Sequence, residues 1–267
     1  MGASAAAGTG AGTGAGTAAG TGAGTGAGTA AGTGLVADFL PFTWVDGPGN
    51  RLVLFMQGCN FDCTACHNPQ TIPLASTHAR DWSVDDVLAK VRESMPYIRG
   101  ITVSGGEATL QWPFLVALFT RVKTDPEFAH LTTFIDSNGH ATQDVWDALL
   151  PVTDGVMLDL KALDDDVHRT FTGQSNELVL ASIRSLARAG KLYETRLMLA
   201  PGLNDSDETL RATAAWLLAV DPEMRVKINH FHAHGTRSPA SGWPEADEAT
   251  REHYRDVLLD AGVQYLC

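Results

Sequence analysis

Basic charge, long apolar runs and cysteine are all scarce in this sequence, and each scarcity excludes something. Lysine and arginine number 19 against 31 acidic residues in 267, a formal net charge of −12. Chains that bind polyanions usually carry a basic excess or stripe, so nucleic acid is not an expected partner. No apolar run approaches the roughly 18–20 residues that cross a bilayer, so no membrane association is expected either. Cysteine occurs four times, at Cys59, Cys63, Cys66 and Cys267. Three within eight residues are too crowded and too odd in number for a disulfide framework. The start of the chain has neither the cationic and Leu-rich regions of a secretory signal nor the arginines of a transit peptide. A reducing, cytoplasmic location is expected, where clustered thiols more often bind metal than cross-link.

Residues 1–34 contain no charged residue and hold 13 of the 27 glycines. Residues 12–23 (GTGAGTAAGTGA) recur almost in full over 24–34. Such a Gly/Ala/Thr repeat cannot bury enough surface to offset its ordering entropy, so a disordered tail is expected there. The 233 residues that follow, 35–267, have an ordinary composition and suffice for one core domain.

Strand-like runs over 51–57, 100–104, 131–136, 155–161, 194–200 and 225–232 alternate with helix-like segments. Several runs are nearly continuous in apolar residues, as in parallel strands covered on both faces. Ser83 can cap a helix whose stripe is Val84, Val87, Leu88, Val91 and Met95, with Asp86 completing a capping box. Pro113 suits the first turn of the next helix. Further helices are expected over 143–150, 176–188, 207–220 and 246–261. Six unbroken β/α alternations imply an α/β chain with right-handed crossovers, satisfied by a doubly wound sheet or by a closed or partial barrel. In each case ligands bind at the carboxyl ends of the strands.

Directly after the first run comes a C-x3-C-x2-C loop, Cys59 to Cys66. Three thiolates on so short a loop can hold three corners of a cubane iron–sulfur cluster and leave the fourth iron open. Structural zinc with His67 as fourth ligand is the plainer alternative. Adjacent Cys66 and His67 can hardly reach one tetrahedral ion without strain, and no second ligand pair exists. Cys267 is read as an incidental terminal thiol.

Six motifs accompany the loop: VDGPG at 45–49, CHNP at 66–69, GITVSGGEAT at 100–109, DSNG at 136–139, MLDLK at 157–161 and FHAHG at 231–235. With these motifs the chain resembles the radical S-adenosylmethionine (SAM) enzymes. Among them it is similar to the activating enzymes of glycyl radical enzymes, most closely the YjjW type, over about residues 36–265. The resemblance implies a partial (β/α)6 TIM-like barrel and one [4Fe–4S] cluster on Cys59, Cys63 and Cys66. It also implies reductive cleavage of SAM to a 5′-deoxyadenosyl radical, which abstracts hydrogen from a glycine of a partner enzyme in anaerobic chemistry.

Residue by residue, Gly105 and Gly106 would line the SAM site, and Glu107 would contact the methionine amino group. A turn alone would explain the two glycines but not the acid. Asp159 and Lys161, two residues apart, share one strand face. They could form a simple ion pair, while the resemblance has Lys161 hold the SAM carboxylate. It makes Asp136 and Asp159, with Ser137 and Met157, a monovalent-cation site. His232 would lie near the adenosine and Arg196 nearby, although a lone strand arginine or histidine is often structural. His67 belongs to the same cofactor-binding set.

Two departures from the family pattern stand out. Residues 67–100 contain no cysteine, so the ferredoxin-like insertion of the YjjW type is missing and no auxiliary cluster is expected. The residue before the last cluster cysteine, often aromatic and packed on adenine, is Ala65. The expected partners are the glycine-bearing loop of a glycyl radical enzyme and a one-electron donor such as flavodoxin or ferredoxin. The alternatives are a radical SAM enzyme acting on a small molecule or on a nucleotide reductase, and a non-catalytic metal-binding or redox-sensing protein.

Overall fold

In the computed structural model, which describes residues 32–267, nine strands and seven helices follow one another along the chain. The strands are β1 (Thr33–Thr43), β2 (Arg51–Met56), β3 (Arg80–Ser83), β4 (Gly100–Gly105), β5 (Thr132–Ser137), β6 (Gly155–Leu160), β7 (Leu192–Leu199), β8 (Arg225–His230) and β9 (Tyr265–Leu266). The helices are α1 (Val84–Ser94), α2 (Trp112–Thr124), α3 (Gln143–Leu149), α4 (Asp165–Thr172), α5 (Glu177–Arg188), α6 (Asp207–Val220) and α7 (Glu248–Asp260). The repeat, expected as a disordered tail, lies outside the described residues except for 32–34. Thr33 and Gly34 open β1, where they pair with Ser83 and Trp82.

One sheet runs in the order β3-β1-β2-β4-β5-β6-β7-β8-β9. The six expected runs form its parallel centre, β2 and β4 to β8, with a crossover helix between neighbours. The sheet does not close, so the architecture is a partial TIM-like barrel. β2, β4 and β6 bury nearly every residue, because helices cover one face and the barrel interior the other. Ser83 and Asp86 form the expected capping box of α1, and Val84, Val87, Leu88 and Val91 are buried on the core. Met95 falls just beyond α1, in a short 3-10 turn.

Four elements lie outside the sequence expectation. β1 and β3 add two antiparallel strands beside β2. β1 carries Pro41 and two register irregularities, and its Leu40 and Phe42 are about 40% exposed, which erases the alternation that would mark it. β9 has only two residues. α4, eight residues long, is too short for a clear period, although Asp164 caps its start and Gly173, in the left-handed region, ends it. Two ends also differ. β6 stops at Leu160 and β8 at His230, so Lys161 and His232 stand just past their strands, at the barrel mouth.

Most buried apolar residues form one core between the sheet and its helices. A smaller cluster of Ala65, Phe171, Met198, Ala200, Phe231 and Ala240 lies beside the cysteine loop.

Candidate active site

The cysteine loop leaves β2 through Gly58, whose φ of +97° suits only glycine without strain. Four structural segments hold the loop. Gly58 and Cys59 donate backbone N–H bonds to Thr71 and Ile72, at 2.8 and 3.0 Å. Asp62 and Thr64 donate to Thr172 and Phe171, both at 3.0 Å, so the free carbonyls at the end of α4 find their partners in the loop. Asn60 donates to the His140 carbonyl at 2.8 Å and accepts from the Asn138 amide at 2.7 Å. Beyond β8, Arg237 donates to Asp62 and Cys63, and the His67 ring meets the His232 carbonyl at 2.9 Å.

So fastened, the three thiols stand free and partly buried around a cavity of about 200 Å³ at the carboxyl ends of the strands. Burial pushes the Cys59 thiol up to about 12 and Cys63 up to about 11, with Lys161 pulling Cys63 the other way. Burial raises Cys66 as well.

Gly105 and Gly106 line the same cavity, but their closest neighbours are backbone. A Cβ on Gly105 would strike Met56, and one on Gly106 would strike the carbonyls of Gly58 and Thr71. The missing side chains let the end of β4 bond directly to the start of the loop, from Gly106 to Met56 at 2.9 Å and from Glu107 to Gly58 at 2.8 Å. Glu107 is 1% exposed. Its Oε1 accepts from the Thr109 amide and hydroxyl and from Ser137, and its Oε2 accepts from the Asn138 amide at 2.7 Å. Burial raises its pKa against those four bonds. Glu107 thus ties the ends of β4 and β5 together, and Oε2 retains acceptor capacity.

Above this floor two cations are paired with carboxylates. Lys161 meets Asp159 at 2.7 Å, and Arg196 meets Asp136 at 3.0 Å and Glu194 at 2.7 Å. Ser104 donates to the second Asp136 oxygen at 2.8 Å. Burial alone would lower the Lys161 ammonium, but Asp159, Cys63 and Asp136 outweigh it and hold it above its ordinary value. Burial likewise opposes Arg196, and Asp136, Asp159 and Glu194 prevail. Asp136 is raised, chiefly by burial, with Arg196 pulling down. Arg196 also donates to the Val45 carbonyl at 3.3 Å and touches the Met157 sulfur at 2.9 Å. Its donors therefore go to protein groups.

A wider cleft of about 860 Å³ adjoins the cavity and shares His67, Asp136, Asp159, Lys161 and Met198 with it. Arg196 and His232 line the cleft, as do His230, His234 and Glu245. His232 is exposed, with Glu245 3.5 Å from its Nδ1. Ala65 is buried against the smaller apolar cluster, where Phe171, Phe231 and Trp243 fill the surroundings. All the expected site residues except Met157, which is buried beneath Arg196, therefore line two connected cavities.

Among the described residues, no three His, Cys, Asp or Glu side chains close round a single point to hold one ion. Three thiols disposed around a cavity, on one loop and without a fourth protein ligand, fit a cluster with one open corner instead. A model of the Radical SAM superfamily matches residues 53–214. The chain belongs to the radical SAM superfamily.

Within that superfamily the chain is similar to activating enzymes. A pyruvate formate-lyase-activating enzyme of Streptococcus mutans is 38% identical over 207 residues, which is 76% of this chain and 79% of that one. Another, from Staphylococcus epidermidis, is 33% identical and covers 82% and 93%. The crystal structure of a domain of a pyruvate-formate lyase-activating enzyme from Bacteroides vulgatus matches with a TM-score of 0.52 at 25% identity, covering 63% and 97%. QueE from Escherichia coli shares the radical SAM fold with a TM-score of 0.52 at 15% identity, covering 88% and 92%. The chain therefore belongs with the activating enzymes of glycyl radical enzymes, a family that implies a [4Fe–4S] cluster and SAM.

Sequence reasoning missed several residues of this radical SAM site. Asn138 was visible inside the DSNG motif, and its amide and side chain now join Glu107 to the cysteine loop. Met198 lines both cavities, yet in sequence it is one apolar residue of a strand. Arg237 and Asp62 carry no sequence signal at all.

Proposed function

We propose that this protein is a glycyl-radical-enzyme activase whose cluster is held by Cys59, Cys63 and Cys66. The observation that carries the reading is the meeting of three unpaired thiols with the Lys161–Asp159 and Arg196–Asp136 pairs at the carboxyl ends of the strands. A [4Fe–4S] cluster held by these three thiolates would supply one-electron reduction of SAM and, with it, the radical that takes hydrogen from a partner's glycine. The protein's part is to bind, orient and shield.

Lys161 is a compact cation that can exchange Asp159 for the SAM carboxylate. Glu107 offers Oε2 to the methionine amino group, with Gly105 and Gly106 beside it. His67 and His232 flank the adenosine, while Ala65 supplies no ring, so adenine stacking comes from elsewhere. Asp136, Asp159, Ser137 and Met157 are proposed to hold a monovalent cation, which would have to compete with Arg196 and Lys161. Arg196 acts by fixing Asp136 in place. The adjoining cleft receives the glycine-bearing loop of the partner. Reduction comes from a one-electron donor such as flavodoxin or ferredoxin, in the cytoplasm, and neither nucleic acid nor membrane takes part. No described helix is long and apolar enough to cross a membrane.

The test is anaerobic reconstitution with iron and sulfide, reduction, addition of SAM and assay of 5′-deoxyadenosine. Wild-type protein should produce it at one cluster per chain, and Cys63→Ala protein should not. A wild-type protein that retains zinc and leaves SAM intact would overturn the reading.

A further inference from the structure

Asp62 is the one carboxylate between Gly58 and Asn68, and it sits within the loop that carries all three cluster thiols. Arg237 reaches it from the segment beyond β8. A single guanidinium nitrogen, Nη1, meets the Asp62 carboxylate, the Asp62 carbonyl at 3.2 Å and the Cys63 carbonyl at 3.4 Å. Two of those three oxygens are backbone atoms of the cluster loop itself. The side chains are 33% and 69% exposed, so the pair is neither a buried network nor a remote surface contact.

We propose that Arg237 and Asp62 form a charge couple that sets the reduction potential of the cluster, with Arg237 as the positioning residue that also fastens the loop. The inference rests on the activase reading, since it needs a cluster on Cys59, Cys63 and Cys66. Reduction delivers one electron from a donor protein, which leaves oxidised, and adds one negative charge to the cluster without a proton. A cation held against the loop stabilises that added charge and raises the potential, while a carboxylate in the loop opposes it. The couple therefore balances two opposite influences, and it decides how strong a donor must be.

A mere mechanical clasp and a charge couple make different predictions for the two halves. Loss of either half of a clasp loosens the same loop, and both variants should change the cluster in the same sense. For a charge couple the senses are opposite. Arg237→Gln removes the cation while keeping a donor, and should shift the potential negative. Asp62→Asn leaves Arg237 on the two carbonyls and should shift it positive. The double variant should return near wild type. Because both groups are partly in water, raising the ionic strength should shrink both shifts.

The experiment is a mediated redox titration of the reconstituted full chain, following the electron paramagnetic resonance signal of the reduced cluster. Opposite shifts in the single variants, with wild-type line shape, support the proposal. Shifts of the same sign, or potentials equal to wild type, overturn it while leaving the activase reading intact. If Arg237→Gln fails to hold a cluster, Asp62→Asn decides alone, since Arg237 still fastens the loop there. A wild-type chain that takes up no cluster overturns both the activase reading and this inference.

Discussion

At the amino ends of the parallel strands Arg51 is wholly buried, and at their carboxyl ends Arg196 and Lys161 stand around an open cavity. The lower cation touches no carboxylate. It donates to the hydroxyls of Thr102 and Thr132, at 2.6 and 2.9 Å, and to the carbonyls of Pro48, Ile101 and Thr132. The Phe134 ring lies 4.4 Å from its guanidinium carbon. Burial lowers its pKa to about 10, with Asp154 and Asp46 opposing. Arg196 and Lys161, by contrast, sit beside carboxylates that hold their pKa values up. A charge satisfied by neutral backbone and hydroxyl oxygens has no charged partner to exchange and serves the fold. A charge paired with a carboxylate at a cavity wall can trade that partner for a charged ligand.

Breaking the lower end should have the largest effect. Arg51→Met strands the buried oxygens around it and should cost about 3–5 kcal/mol of stability, measured by urea unfolding. SAM binding by the protein that remains folded should be unchanged. Altered SAM affinity would mean that the two ends are not separate.

Lys161→Ala sharpens the same contrast from above. SAM affinity, measured calorimetrically on reconstituted protein, should fall roughly 10- to 100-fold, the worth of one charge-assisted hydrogen bond. The cluster spectrum should persist. Unchanged affinity would reduce Lys161 to a partner of Asp159.

The smallest effect should appear at α4, which holds the cysteine loop by its carboxyl end. Hydrogen bonds from the Asn176 amide, Arg169 and Ser175 lower Asp165 from 3.8 to about 2. The unfolded chain then binds more protons between those values, so this contribution is whole above pH 3.8 and fades as pH falls through 2. Stability of wild type and Asp165→Asn, compared by denaturant unfolding, should differ slightly above pH 4 and converge toward pH 2. A gap that does not narrow would mean that Asp165 acts by packing, not by charge.

Much of this was legible beforehand, for identifiable reasons. Several of the six parallel strands announce themselves because strands buried on both faces are nearly continuous in apolar residues, as β2, β4 and β6 are. Cys59, Cys63 and Cys66 are legible because rare residues at short spacing can meet only on one loop. Glu107 was harder: its place in the SGGE run was visible, but not that Ser137 and Asn138, some thirty residues on, supply two of its four hydrogen bonds. β1 was hidden by Pro41 and by exposed apolar residues, and α4 by its length.

Local pattern alone carries the alternation of the six central strands with their main helices, the cysteine loop, and which acids and bases fall at strand ends. These depend on local periodicity and spacing, which each segment carries alone. That Arg196 pairs with Asp136, that Gly106 presses on Gly58 and that Arg237 lies on Asp62 came from tertiary packing alone. Partners far apart in sequence meet through strand register and crossover geometry. Those are set by the packing of the whole core, and no single segment encodes them.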